Sequence, residues 1–246
     1  MWEYSCLLLL NLCAKVLKKI KKTDYRNSKV VNWERLCIIF CNFASVKLII
    51  QTLPTYFVEE DQILTALFEE GMDLLHINKP ESEPLYMERL LSLIPAKMYG
   101  KIVIHQNYYL KKEHDLKGIH IDNPDEPVPD GFKKHVTRST NRISDLKDFK
   151  KQCDYVLLHS LFDSLHDEVK ASLTPEEIHE ANHKGLIDKH VYALGGMSLE
   201  TVQQAKDMGF GGVVICGDLW NRFSIQHEIN FHELISHFRK LKKATN

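Results

Sequence analysis

From Lys47 onward, short apolar runs alternate with longer stretches in which apolar residues recur every three or four positions. Lys47–Thr52, Asp73–Ile77, Lys101–His105, Gly118–Ile121, Val136–Ser139 and Asp154–Leu158 are bounded by turn residues, so each predicts a strand buried on both faces. Val191–Met197 and Gly211–Trp220 each open with a further such run, which stops at Gly195-Gly196 in one and at Gly217 in the other. Between the strands the spacing turns helical. Glu59–Glu70 carries Ile63, Ala66 and Leu67 on one face and ends at Gly71, and Ser82–Ile94 carries Leu90, Leu91 and Ile94. A short helical piece reaches Asp115, Arg142–Lys151 is a further helix, and Ser198–Met208 lies between the last two strands. Thr174-Pro175-Glu176-Glu177 predicts a helix start, with a capping box and proline at the first helical position. Phe231, Leu234, Ile235, Phe238 and Leu241 form a closing amphipathic stripe. Asp122–Gly131, rich in proline, and Leu161–Leu173 read as loops.

Eight strand–helix units over residues 46–246 predict an α/β fold, a (β/α)8 TIM barrel. An open doubly wound sheet would give similar units, but the count of eight favours closure, as do glycines after the last two strands rather than the first. Gly-x-Gly-x-x-Gly and Gly-x4-Gly-Lys-Ser/Thr are both absent, which weakens dinucleotide and nucleoside-triphosphate readings.

Composition changes this picture only at the front. The net charge of -1 divides into +5 for residues 1–45 (eight Lys/Arg, three Asp/Glu) and -6 for residues 46–246 (24 against 30). Four of the six cysteines, Cys6, Cys13, Cys37 and Cys41, sit in the same front piece, without zinc-type spacing or a nearby histidine. Leu7–Leu10 is too short to span a membrane, and its flanks are in the wrong order for a secretory signal. Residues 1–45 are therefore expected to be a basic, cysteine-rich extension outside the fold, and 46–246 the barrel; a basic amphipathic anchor is the alternative for the front piece. Cys153 and Cys216, read as thiols, suit a cytoplasmic location. An acidic body with no basic stripe argues against nucleic-acid binding.

In a barrel, chemistry collects where strands end at the C-terminal face. Those positions are His76, Asn78 and Lys79 after the second strand, His105 and Gln106 after the third, and Asp122 and Asp125 after the fourth. Ser139 and Asn141 follow the fifth, His159 and Ser160 the sixth, and His120 falls within the fourth, where it can point inward. Gly195, Gly196 and Gly217 carry the firmest signal, because glycine lets main-chain N–H groups approach an anion; plain tight turns are the alternative. Asp218 would repel a phosphate, and is expected to turn away and cap the helix at Leu219-Trp220. Lys79 is either an anion-holding point charge or a solvated surface lysine. His76 and His105 are acid–base candidates or loop histidines held by hydrogen bonds. No histidine pair has zincin spacing, and neither a nucleophile elbow nor a paired-carboxylate site stands out.

Taken together, His76-Ile77-Asn78-Lys79-Pro80, Gly118-Ile119-His120, Asp163-Ser164, Ala193-Leu194-Gly195-Gly196 and Gly209–Val214 resemble, in order and spacing, the thiamine phosphate synthase/TenI family from about Lys47 to Lys243. The TenI-like branch is closest. The resemblance implies a barrel that joins hydroxymethylpyrimidine pyrophosphate to thiazole phosphate and releases pyrophosphate, with Mg2+ as cofactor where that reaction is retained. Alternatives are a TenI-like thiazole tautomerase and a barrel that binds thiazole or thiamine phosphate without turnover. The expected catalytic residues are Lys79 and Ser139, with His76 or His105 standing in for the TenI histidine. Gly195, Gly196, Gly217, Ser164, Asn78 and Asn141 would bind substrate or phosphate, and Asp125 would ligate the metal. Asn78 stands where the synthases have arginine, Gln106 where they have a metal-binding aspartate, Asp167 where they have a lysine, and Asn141 where TenI proteins have a histidine. The expected partners are the two small phosphate esters and, as a candidate, a second copy of the chain, with no nucleic acid and no membrane span.

Overall fold

A computed structural model of the chain describes residues 45–132, 134–159, 161–162, 172–222 and 231–246. The expected front extension, except Ser45, lies outside the described residues, as do Ser164 and Asp167. Eight parallel strands close a barrel in sequence order: β1 (Lys47–Gln51), β2 (Leu74–Ile77), β3 (Ile102–Ile104), β4 (Gly118–Ile121), β5 (Val136–Thr140), β6 (Tyr155–Leu158), β7 (Val191–Ala193) and β8 (Gly212–Ile215). Closure is made by β1 against β8, with Leu48 opposite Val213 and Ile50 opposite Ile215.

The two-residue period of a strand sorts the side chains into two cores. Leu48, Ile50, Leu75, Ile77, Ile119, Ile121, Val156, Leu158, Val213 and Ile215 face outward and pack with the helices. Ile49, Tyr155, Leu157, Tyr192 and Val214 form a separate cluster in the lumen. Tyr192 and Tyr155 stack there, ring centroids 4.5 Å apart and planes 5° from parallel. A Cβ at Gly212 would stand 2.6 Å from Tyr192 Cδ2, so this glycine makes room for the ring rather than bending the chain.

The helices are α1 (Glu60–Glu69), α2 (Pro84–Leu93), α3 (Leu110–Glu113), α4 (Leu146–Gln152), α5 (Pro175–His183), α6 (Val202–Asp207), α7 (Gly217–Trp220) and α8 (Phe231–Thr245), with a 3-10 turn at Ala96–Lys101 before β3. The capping box that opens α5 is present: Glu177 N donates to Thr174 Oγ1 at 3.2 Å, and Thr174 N to Glu177 Oε2 at 2.8 Å. Leu234, Phe238 and Leu241 bury the expected stripe of α8, and Val46 N donates to Thr245 O at 2.9 Å, tying the start of the barrel to that helix.

One expectation changes. The helix expected at Ser198–Met208 begins only at Val202, because Thr201 Oγ1 accepts from Ser198 N and holds a turn there. The β4–β5 connection, read as a proline-rich loop from the sequence, has no helix among the described residues. Its loop is pinned instead by Arg138, whose guanidinium donates to the carbonyls of Pro124 at 2.9 Å and Glu126 at 2.7 Å. No helix among the described residues is long and apolar enough to cross a membrane.

Candidate functional site

The C-terminal ends of the strands form one mouth. Gly195 and Gly196, after β7, have φ of 97° and 61°, a left-handed pair that L side chains resist. Gly217 opens α7 directly after β8. Asp218 does turn away, but not to cap α7: it accepts from Leu199 N at 3.1 Å and pairs with His237 Nε2 of α8 at 2.7 Å. That carboxylate ties the β7 loop to α8 and leaves the glycine side of the mouth without its charge.

Lys79 is neither solvated nor presented to the mouth. Its side chain is fully buried, with Nζ 2.7 and 2.9 Å from the two Glu60 oxygens, 2.8 Å from Thr55 O and 4.4 Å from the centroid of the Tyr56 ring. Burial pushes the Glu60 carboxyl up and the Lys79 ammonium down, and each shift is opposed by the partner. Asn78 and Gln106 are also joined, Gln106 Nε2 donating to Asn78 Oδ1 and Gln106 Oε1 accepting from Lys79 N, both at 2.9 Å. Asp125 is 72% exposed and held at 2.8 Å by Arg142. Asn141 is exposed after β5. A hard cation wants several oxygen donors, carboxylates above all. Here the Asp125 carboxylate is taken by arginine and the Gln106 amide oxygen by a backbone N–H, so these residues do not fit magnesium as arranged.

His105 follows β3 and His120 lies within β4 as the sequence suggested, but His76 stands elsewhere. His76 is within β2 rather than after it, pointing into the barrel as His120 does from β4; both are fully buried. Ser139, too, lies within β5 and is buried. His76 Nδ1 is 2.9 Å from His105 Nε2, and His76 Nε2 is 2.6 Å from the Tyr155 hydroxyl. His105 Nδ1 is 2.8 Å from Asp122 Oδ1, and the Asp122 side chain is 48% exposed at the mouth. His120 fills a second branch, with Nδ1 2.7 Å from Thr137 Oγ1 and Nε2 2.7 Å from Ser139 Oγ.

Burial, reinforced by neighbouring histidines, holds His76 and His120 well below the usual imidazole range. Burial also lowers His159, against the pull of Asp122, and raises the Tyr155 hydroxyl well above its ordinary value. The carboxylate at the end of the column sets the direction of its bonds. Asp122, as a carboxylate, only accepts, so His105 Nδ1 donates; His105 Nε2 then accepts from His76 Nδ1, and His76 Nε2 from Tyr155.

Sequence reasoning placed His76, His105 and Ser139 in the site, and the structure joins each of them to this lumen network. It gave Asp122 no role, and it missed Glu60 and Tyr155. Strand parity was the available signal for Tyr155, since it is two residues from Leu157 on the inward face.

Residues 58–219 match the family model described as thiamine monophosphate synthase. A thiamine-phosphate synthase of Flavobacterium johnsoniae is 22% identical over 173 residues, 64% of this chain and 82% of that protein. The solved thiamine phosphate pyrophosphorylase of Bacteroides thetaiotaomicron is 44% identical, with a TM-score of 0.73, covering 81% of this chain and 97% of that one. The thiamine phosphate pyrophosphorylase of Pyrococcus furiosus, 15% identical with a TM-score of 0.60, covers 84% of this chain and 97% of its own, and shares the fold.

Proposed function

We propose, since this chain belongs to the thiamine monophosphate synthase family, that it binds a thiazole carboxylate phosphate at the β7–β8 end of the mouth and moves a proton on it, a tautomerase-type reaction. The observation that carries this reading is the His105–Asp122 pair at 2.8 Å, opening on the mouth with a hydrogen-bonded column behind it. The left-handed Gly195-Gly196 turn and Gly217 are the groups proposed to receive the phosphate, through main-chain N–H donors. No histidine follows β5, where TenI proteins use one; Asn141 is there instead, and proton transfer passes to the opposite side of the mouth.

Coupling to hydroxymethylpyrimidine pyrophosphate is the second reading, favoured by the 44% identity to a protein named a thiamine phosphate pyrophosphorylase. Against it stands the charge that departing pyrophosphate develops, which magnesium and cationic side chains ordinarily stabilise. Lys79 is bound to Glu60, and the magnesium positions do not fit the ion.

Two incubations separate the readings. In the first, the non-aromatic thiazole carboxylate phosphate tautomer is followed spectroscopically for aromatisation. In the second, thiazole phosphate, hydroxymethylpyrimidine pyrophosphate and Mg2+ are followed for thiamine phosphate. Isomerisation without coupling is expected. Coupling at the rate of an authentic synthase run alongside would overturn the tautomerase reading, as would binding without isomerisation.

A further inference from the structure

The geometry points to Asp122 as the proton-exchanging group of the mouth, with His105, His76 and Tyr155 as positioning residues that form a two-state hydrogen-bond relay behind it. The relay follows from the hydrogen bonds alone; the identity of the ligand whose proton it handles rests on the reading above.

The four groups are in line from the lumen to the mouth: Tyr155 Oη to His76 Nε2 at 2.6 Å, His76 Nδ1 to His105 Nε2 at 2.9 Å, His105 Nδ1 to Asp122 Oδ1 at 2.8 Å. Of these only Asp122 is open to a ligand; the three others are buried. With Asp122 ionised, every donor points toward the mouth. A proton taken up by the His105 ring, or by the Asp122 oxygen that faces it, cannot leave this pattern in place. In either position His105 Nε2 becomes a donor, and its partner His76 Nδ1 must become an acceptor. His76 then carries its hydrogen on Nε2 and donates to Tyr155 Oη. The tyrosine hydroxyl then turns from His76 toward Thr137, its register partner on β5. His76 stays neutral throughout; only its tautomer changes.

The other groups around the column leave this logic intact. His120 on β4 lies with its ring centroid 4.3 Å from that of His105 and 5.2 Å from that of His76, and its Nε2 is 3.7 Å from Asp122 Oδ1, but its hydrogen bonds go to Thr137 and Ser139. Arg138 of β5 and His159 after β6 act on His120 by charge, and Asp122 acts on His159. Gln51 is paired with His76 from β1, and Tyr192 stacks on Tyr155 from β7. Proton balance is simple. The ligand gives a proton to the Asp122–His105 pair, the electron pair of the broken bond remaining on the ligand. The same pair returns a proton at another ligand atom, the relay reverses, and no oxidant or reductant is needed.

The same three histidines offer ring nitrogens within 4.8 Å of one another, a spacing a transition metal could use. Every one of those nitrogens already has a hydrogen-bonding partner. Metal binding is therefore the competing outcome, and the test includes it.

The full chain, labelled with 15N at histidine, is titrated from pH 8 to pH 5 while long-range 1H–15N correlations report each tautomer; no ligand is required. Nδ1–H is expected for both His76 and His105 at high pH. On acidification His76 should switch to Nε2–H, without becoming an imidazolium, at the same midpoint at which the His105–Asp122 pair gains its proton. Asp122→Asn should move the His76 midpoint down by at least one pH unit although residue 122 does not touch His76, and Tyr155→Phe should move it the same way. An Nε2–H His76 at every pH, a charged His76, or an unmoved midpoint in both variants would overturn the relay. So would metal-type shifts of all three histidines with one equivalent of Zn2+. Should the titration succeed while the thiazole carboxylate phosphate tautomer is not isomerised, the relay stands and only the reading of its ligand falls.

Discussion

Lys79 is the residue whose role the structure changes most, and replacing it by methionine tests that change directly. Methionine fills much of the lysine stem but leaves Glu60 buried opposite an apolar group. Removing one partner of a buried ion pair costs about 3–5 kcal/mol, because the remaining charge has no compensation. For this pair the two short contacts from Nζ to Glu60 and the third to Thr55 O put the cost in that range rather than at the fraction of a kcal/mol of an exposed pair. A domain of this size shifts its melting temperature by about 2–4 °C per kcal/mol, so Lys79→Met should lower Tm by about 10 °C. The double variant Glu60→Leu/Lys79→Met removes both charges and should recover to within about 1–2 kcal/mol of the parent. Thermal unfolding of the parent, Glu60→Leu, Lys79→Met and the double variant, followed by circular dichroism, gives the coupling between the two sites as a double-mutant cycle. If Lys79→Met keeps the parental Tm, or if the double variant is no better than the single one, the ion pair is not what buries this lysine. Loss of ligand affinity at unchanged Tm would return Lys79 to the role its sequence position suggests.

His76 and His120 make stability pH-dependent in a direction that can be stated. Their folded pKa values lie below the unfolded one, so below about pH 6.5 the unfolded chain binds protons that the folded chain does not. Their contribution to stability is present above that pH and is lost as it falls, at about 1.4 kcal/mol per pH unit for each ring; urea unfolding between pH 5 and 8 should show it, and a flat profile would mean the rings are charged in the fold. Gly212→Ala should destabilise by about 1–3 kcal/mol through overpacking against Tyr192, with partial rescue by Tyr192→Leu; a thermal scan showing no loss would refute the fit. Gly196→Ala should cost about 1–2 kcal/mol for its left-handed φ of 61° and weaken thiazole phosphate binding at least tenfold in calorimetric titration. Unchanged affinity would remove the β7 turn from the proposed phosphate site.

Much of the architecture was written locally. The runs from Lys47 to Ile215 alternate with helical spacing, and the capping box at Thr174 and the stripe from Phe231 to Leu241 obey rules that operate within one element. Such rules recover strand order and the C-terminal mouth, because βα units connect in one hand and short apolar strands must be covered on both faces. They also put Gly195, Gly196 and Gly217 where a mouth would be. What they could not supply was which charges meet. Lys79 and Glu60 are 19 residues apart and sit on different elements, and His76 finds Tyr155 across 79 residues of chain. Pairings of that kind depend on the closure of the ring and on strand register, where a shift of one residue turns a side chain from lumen to outer layer. The sequence thus determined a barrel with histidines near one end. Only the tertiary structure decided that the lysine is sealed beneath the mouth and that the imidazoles form a column, because buried charge and buried hydrogen bonds take their energy from partners brought together in space.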